Sequence, residues 1–189
     1  EDAFSYCPKL PALTLPDTVT SIGIRAFGNC TALATLTLSQ NLTLIGDNAF
    51  ADCTSLSTVT IPPNVTQIGA NAFLRCSSLQ SLTLADCPAA IGTYAFASCP
   101  QLTRISFGNS LVSIDTHAFR YAAISTLTIP DTTQFIGTNA FANCPNLTTI
   151  SLGSGLTSFT TPIFFTAPNL TEITVSSDNP HLASRQGLL

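Results

Sequence analysis

Charge is scarce in this sequence, and its scarcity removes whole classes of function. Only 8% of the 189 residues are charged, six basic against ten acidic, for a net charge of −4. That leaves no basic patch with which to grip nucleic acid or an anionic membrane. There is no run of eighteen apolar residues, so no insertion into a membrane is expected within this chain. There is also no charged n-region followed by an apolar h-region, so no export signal is expected within it. C-x-x-C is missing, and neither His117 nor His181 has a metal-site spacing to a cysteine, so no metal and no cofactor are expected. Neither G-x-x-x-x-G-K-[ST] nor G-x-G-x-x-G occurs.

What is present is a repeat. Phe4, Phe27, Phe50, Phe73, Phe96 and Phe119 lie 23 residues apart; the step to Phe141 is 22 and the step to Phe164 is 23 again. The chain is therefore about eight copies of one 22–23-residue unit, which reads A-F-x-x-C-x-x-L-x-x-L-x-L, a turn, then V-x-x-I-G. One copy cannot bury its apolar face alone, whereas stacked copies bury a continuous core. The spacing predicts a solenoid, mainly β, with each Phe packed on the Phe of the next turn.

Within a unit, L-x-L places two apolar side chains on one face of a short strand and sends the middle residue to solvent. Pro16, Pro62 and Pro130 stop that strand, and Asp17, Gln40, Asp86, Asn109 and Asp131 suit the turn beyond it. A-F-x-x-C fits a single helical or 3₁₀ turn, closed by proline at Cys99-Pro100 and Cys144-Pro145. Cys7, Cys30, Cys53, Cys76, Cys99 and Cys144 share one slot that holds Ala122 and Ala167 in the other two copies, the mark of a small apolar filler. Stacking at about 4.8 Å also leaves in-register disulfides open as a reading. Cys87 stands apart in the turn column before Pro88 and is expected to be a free, partly exposed thiol.

The unit resembles the 23-residue leucine-rich repeat of the BspA type, known from treponemal and other bacterial surface proteins; "LSTVTIPPNVTQIGANAFLRC" (56–76) carries its motif. "NPHLASRQGLL" (179–189) resembles a segment that often follows such repeats. The resemblance implies a right-handed, curved leucine-rich-repeat solenoid at a cell surface or in secretions, with adhesion or protein binding as its usual role. The solenoid is expected over 1–176, with a nonrepeat tail over 177–189. Because residue 1 falls inside a repeat and Leu189 ends without a polar cap, the chain is expected to be an excerpt of a longer protein whose signal and anchor lie outside it. Asp115 and Thr160 replace the Gly after the Ile position, Pro88 and Thr133 replace the Val, and the sixth copy is one residue short at "YAAISTL". If that Gly serves a left-handed backbone, irregular geometry is expected near 115–124 and near 160.

The solvent side of the L-x-L strands is a sheet of small hydroxyls. Thr35, Thr37, Thr58, Thr60, Ser81, Thr83, Arg104, Ser106, Thr126 and Thr128 are its candidate ligand-binding residues. One reading is plain strand chemistry, since exposed Thr suits a strand. The other is a binding face for an extracellular or host-cell protein or glycoprotein. A spacer in a long surface protein and, more distantly, ice binding through the Thr rows are alternatives. Catalysis is not expected: no two acids are adjacent in the turn column Asp17, Gln40, Pro63, Asp86, Asn109, Asp131, Ser154, and His117 reads as a solvated loop residue. Five N-x-[ST] triplets start at Asn29, Asn41, Asn64, Asn146 and Asn169; Asn64 is expected to tolerate a glycan and Asn29 to resist one.

Overall fold

A computed structural model describes residues 1–182. Each L-x-L segment is a strand: β1 (Ala12–Thr14), β3 (Thr35–Thr37), β5 (Thr58–Ile61), β7 (Ser81–Leu84), β9 (Arg104–Ser106), β11 (Thr126–Thr128), β13 (Thr149–Leu152) and β15 (Glu172–Val175). Between them lies a second set of two-residue strands ending on the repeat's Ile or Phe: β2 (Ser21–Ile22), β4 (Leu44–Ile45), β6 (Gln67–Ile68), β8 (Ala90–Ile91), β10 (Ser113–Ile114), β12 (Phe135–Ile136) and β14 (Ser158–Phe159). All pairing is parallel and in register with the repeat, Thr60 opposite Thr83 opposite Ser106 for example. The short strands form one continuous seven-stranded sheet, whereas the L-x-L strands form three ladders, β1-β3, β5-β7-β9 and β11-β13-β15.

The A-F segment is not helical; among the described residues there is no helix. In a solenoid its amides must reach the next turn of the stack, and a helix would send every N–H along its own axis instead. The backbone resolves this by alternation. Arg25, Phe27 and Asn29 donate to the carbonyls of Asp47, Ala49 and Ala51 at 2.8–2.9 Å, while Ala26 and Gly28 close tight turns onto Gly23 and Arg25. Alternation needs left-handed residues two before and two after each Phe, seen at Arg25, Asn48, Asn71, Tyr94, His117 and Asn139 and at Asn29, Asp52, Arg75, Ser98, Tyr121 and Asn143. Asn and Asp adopt this conformation most readily, which accounts for much of both columns. Pro162 falls in the first column, where its ring fixes a negative φ, and the turn after Thr160 departs from the pattern.

The Gly after the Ile serves a different need from the one its sequence context suggests. Of the described glycines, Gly108 alone has a positive φ, at 62°. Gly46 is required by close approach, since a Cβ there would lie 2.8 Å from Ile22 O and from the Gly23 carbonyl carbon. Asp115, in the same column, turns its carboxylate back on its surroundings, accepting from Thr116 N at 2.7 Å and from the Thr93 hydroxyl at 2.9 Å. The seven-stranded sheet runs on through β10 unbroken, and the interruption falls on the other side, between β9 and β11, where the short copy removes a residue. There Phe107 stands in place of an aliphatic residue and packs edge-on against Phe119, 5.7 Å between centroids. The ladder also breaks between β3 and β5, for which the repeat spacing gives no warning.

The core is a column of phenylalanines. Phe50, Phe73, Phe96, Phe119 and Phe141 are fully buried, and successive rings stack nearly parallel at 5.0–5.6 Å. Around them run the Leu, Ile and Cys columns. Cys87, expected to be partly exposed, is instead buried in this core while Pro88 is exposed. Proline cannot follow the path that Leu42, Val65 and Leu111 take inward, and the small thiol before it turns in. Thr133 is tolerated in the same column because its hydroxyl donates to Leu111 O at 3.2 Å. At the far end the buried Asn179 donates to Gly153 O and Leu156 O, both at 3.0 Å, and accepts from His181 N and Leu182 N. That amide ties the chain following β15 to the last turns. The rest of the 179–189 segment, beyond Leu182, lies outside the described residues.

Candidate binding surfaces

The strand face holds the ten residues named from the sequence. Six are brought together in the β5-β7-β9 ladder, Thr58, Ser81 and Arg104 in one row and Thr60, Thr83 and Ser106 in the next. Thr35 and Thr37 belong to the ladder with β1, and Thr126 and Thr128 to the one with β13. All are exposed except Ser81, which is half-buried. Where the ladder breaks between β9 and β11, a groove of about 710 Å³ opens over Ser106, Asn109, Thr126, Thr128, Ser151 and Thr174.

Two populations of hydroxyl are distinguished by their hydrogen bonds. Thr43, Thr66, Thr148, Thr157 and Thr171 each donate to a carbonyl of the preceding turn, at 2.9–3.2 Å. These hydroxyls are consumed by the stack. None of the ten strand-face side chains hydrogen-bonds another described residue; their hydroxyls are left for water or for a partner. Four of the five Asn side chains of the N-x-[ST] triplets belong to the consumed group, Asn29 being the exception. Asn41, Asn64, Asn146 and Asn169 donate their amides to carbonyls of the preceding turn, so Asn64 is less free to carry a glycan than its turn position suggests.

The cysteine column is inert. All seven cysteines are free thiols, and no in-register bridge has formed. Cys30, Cys53, Cys76, Cys99 and Cys144 point their thiols at the carbonyl of the Phe in the preceding turn, at 3.3–3.5 Å. Burial pushes Cys53, Cys99 and Cys144 up to about 12 and Cys76 well above its usual range. Such thiols are protonated at neutral pH and are poor nucleophiles. Among the described residues no three His, Cys, Asp or Glu side chains cluster as a metal site would require.

The turn face, carrying the two left-handed columns, is the part that the sequence pattern did not single out. His117 is half-buried rather than solvated, its ring stacked on Tyr94 at 4.6 Å. Burial, and then the charge of Arg120, lower its pKa. Arg25 and Arg75 form two-pronged ion pairs with Asp2 and Asp52 of the preceding turn, at 2.9 and 3.1 Å and at 2.6 Å twice. All three tyrosines of the chain, Tyr6, Tyr94 and Tyr121, lie in these columns. The 23-residue offset between Asp52 and Arg75 was the signal available in the sequence.

Parallel strands stacked in register, an inner ladder of Phe and Leu and an outward face of free hydroxyls define a leucine-rich-repeat solenoid with exposed surfaces suited to binding. The chain belongs to the BspA type leucine-rich repeat family, whose profile matches six copies over residues 1–120 and 78–185. It is similar in structure to a leucine-rich cell surface protein from Faecalibacterium prausnitzii, with a TM-score of 0.63 and 25% identity over 100% of this chain and 66% of the other. It is similar also to the leucine-rich repeat protein of T. pallidum, with a TM-score of 0.61 and 27% identity over 82% of this chain and 66% of that one. A leucine-rich repeat protein from Eubacterium ventriosum, 22% identical with a TM-score of 0.60 over 92% of this chain and 50% of its own, shares the fold. The chain thus spans about two thirds of the length of the first two. No curated protein matches its sequence.

Proposed function

We propose that the chain is a non-enzymatic, cell-surface binding module that engages an extracellular or host-cell protein or glycoprotein through the strand face, and that its role is adhesion to host or neighbouring cells. One observation carries this reading: the ten strand-face side chains are unpartnered and, but for half-buried Ser81, exposed, whereas hydroxyls such as those of Thr43 and Thr66 are spent on the stack. Solenoids commonly use such extended faces for recognition. The description of the Faecalibacterium relative as a cell surface protein supports the location. Ice binding is disfavoured, because it needs long unbroken hydroxyl rows and these are cut between β3 and β5, between β9 and β11, and by Arg104 and Glu172.

The test is binding of the chain to a panel of immobilised matrix and cell-surface glycoproteins, beside a Thr60→Lys/Thr83→Lys variant. Selective binding that the variant loses is the expected result. Equal binding by both proteins would remove the strand face from the mechanism, and no binding by folded protein would favour a spacer role.

A further inference from the structure

The turn face contains a notch of about 510 Å³ whose walls are mainly carbon, bounded by Thr54, Arg75, Ser98, Pro100 and Tyr121. Its origin lies in one column. Asp52, Arg75, Ser98 and Tyr121 follow one another at 23-residue intervals, so a small residue sits between two large ones and leaves a gap one turn high. The backbone beneath it is set by the stack, each of these four residues being held in the left-handed conformation. Arg75 is further fixed by its two 2.6 Å bonds to Asp52.

Charge on this surface is unbalanced in one place. The Asp52–Arg75 pair neutralises itself, and His117 is held neutral at pH 7 by its burial and by Arg120. Arg120 has no carboxylate partner among the described residues; its guanidinium lies 4.7 Å over the Tyr121 ring and donates to the Tyr121 hydroxyl at 2.9 Å. The notch is therefore a carbon-lined depression with one aromatic wall and a single net positive charge beside it. Tyr and Arg are, with Trp, the residues most enriched among the hot spots of protein interfaces.

We propose that the turn face is a second interaction surface, and that it takes a protein segment presenting an apolar side chain to the notch and a neighbouring carboxylate to Arg120. A side chain is favoured over a sugar because the walls offer carbon where a glycan's hydroxyls would need polar partners. Strand addition is not the mode, since the amides of this face are already bonded to adjacent turns. The inference is independent of the strand-face reading.

The test is a chemical-shift titration of the chain with a twelve-residue Gly/Ser peptide carrying one Leu-x-Glu triplet. Counterparts with Gln or Lys in place of Glu, and 3′-sialyllactose, complete the set. The Glu peptide should shift Arg75, Ser98 and Tyr121 and bind more tightly than the Gln and Lys peptides. Tyr121→Ala and Arg120→Gln should each weaken it by about tenfold or more. Tyr121 is 45% exposed, so its truncation spares the core, and an unchanged circular dichroism spectrum verifies this. Thr60→Lys/Thr83→Lys should bind the peptide as the parent does, which separates this surface from the strand face. Absence of shifts, an equal response to the Lys peptide, a response to the sugar alone, or full binding by Tyr121→Ala would each overturn the proposal.

Discussion

Phe73→Ala is the sharpest test of the stacked core. Phe73 is fully buried between Phe50 and Phe96, with ring centroids 5.2 and 5.0 Å away. Truncating a buried Phe costs about 3–5 kcal/mol through lost transfer energy and the cavity left behind. Aromatic pairs contribute about 0.5–1.5 kcal/mol each beyond their burial, and this substitution removes two of them. Both neighbours are themselves locked in the column, so little collapse is available and the cost should fall near the top of the range, about 5 kcal/mol. Against a total stability of about 5–15 kcal/mol that is a large share. Phe4 supplies the internal control: it is 56% exposed and stacks on Phe27 alone, at 5.3 Å. Its replacement by Ala should cost about 1 kcal/mol, since less than half of the burial and one of two contacts are lost. Urea unfolding followed by circular dichroism reads both, the midpoint shifting at nearly constant slope. A Phe73→Ala cost below about 1.5 kcal/mol, or one equal to that of Phe4→Ala, would refute the ladder as the principal source of stability.

Three further outcomes are expected. Gly69→Ala would place its Cβ 2.6 Å from Asp47 N and 2.7 Å from the Gly46 carbonyl carbon, costing about 1–3 kcal/mol. Gly23→Ala, whose Cβ would meet only Glu1 at 3.2 Å and beyond, should leave the melting temperature nearly unchanged. A maleimide at pH 7.5 should label half-buried Cys7 first and leave Cys53, Cys76, Cys99 and Cys144 unmodified until the chain is unfolded; rapid native labelling of those four would contradict their burial. His117 should titrate below 6.5, so its contribution to stability is present above that pH and is lost as the pH falls through the lowered folded value. In an NMR titration Arg120→Gln should raise that value only in part, because burial is the larger cause.

The sequence was legible wherever a column repeats a single demand. Phe at 23-residue spacing, L-x-L and the Cys/Ala slot each state one requirement several times over, and strand, core and stacking all follow from them. It was illegible where the demand falls on the backbone. Nothing in A-F-x-x-C announces that Arg25 and Asn29 must be left-handed, because the cause is a hydrogen bond to a residue 22 positions later. The two-residue strands ending at Ile22, Ile45 and Ile68 are too short to show alternation, although they build the longest sheet. Cys87 was misplaced because a turn column cannot reveal which of two neighbours goes inward when one is proline. Alternation in L-x-L shows that the strand face is exposed, Ser81 excepted, but the distinction between its free hydroxyls and the spent ones of Thr43 or Thr148 needs the carbonyl positions.

That distinction bears on where recognition can reside. A solenoid of this kind satisfies its polar groups turn against turn: Asp17 caps Gln40 N, Asp86 caps Asn109 N and Asp131 caps Ser154 N, and the Asn and Thr side chains between the strands do the same for carbonyls. Substituting any of these loosens the stack first and alters recognition only as a consequence. Among the side chains exempt from this duty are the ten strand-face residues and the Arg120–Tyr121 pair of the turn face, which bond only each other. Because these two groups share no hydrogen-bonding partner, substitutions in them should act additively on stability and separately on binding. A Thr60→Lys/Thr83→Lys change that weakened peptide capture at Tyr121, or a Tyr121→Ala change that weakened glycoprotein binding at the strand face, would mean instead that the two surfaces meet on a single partner.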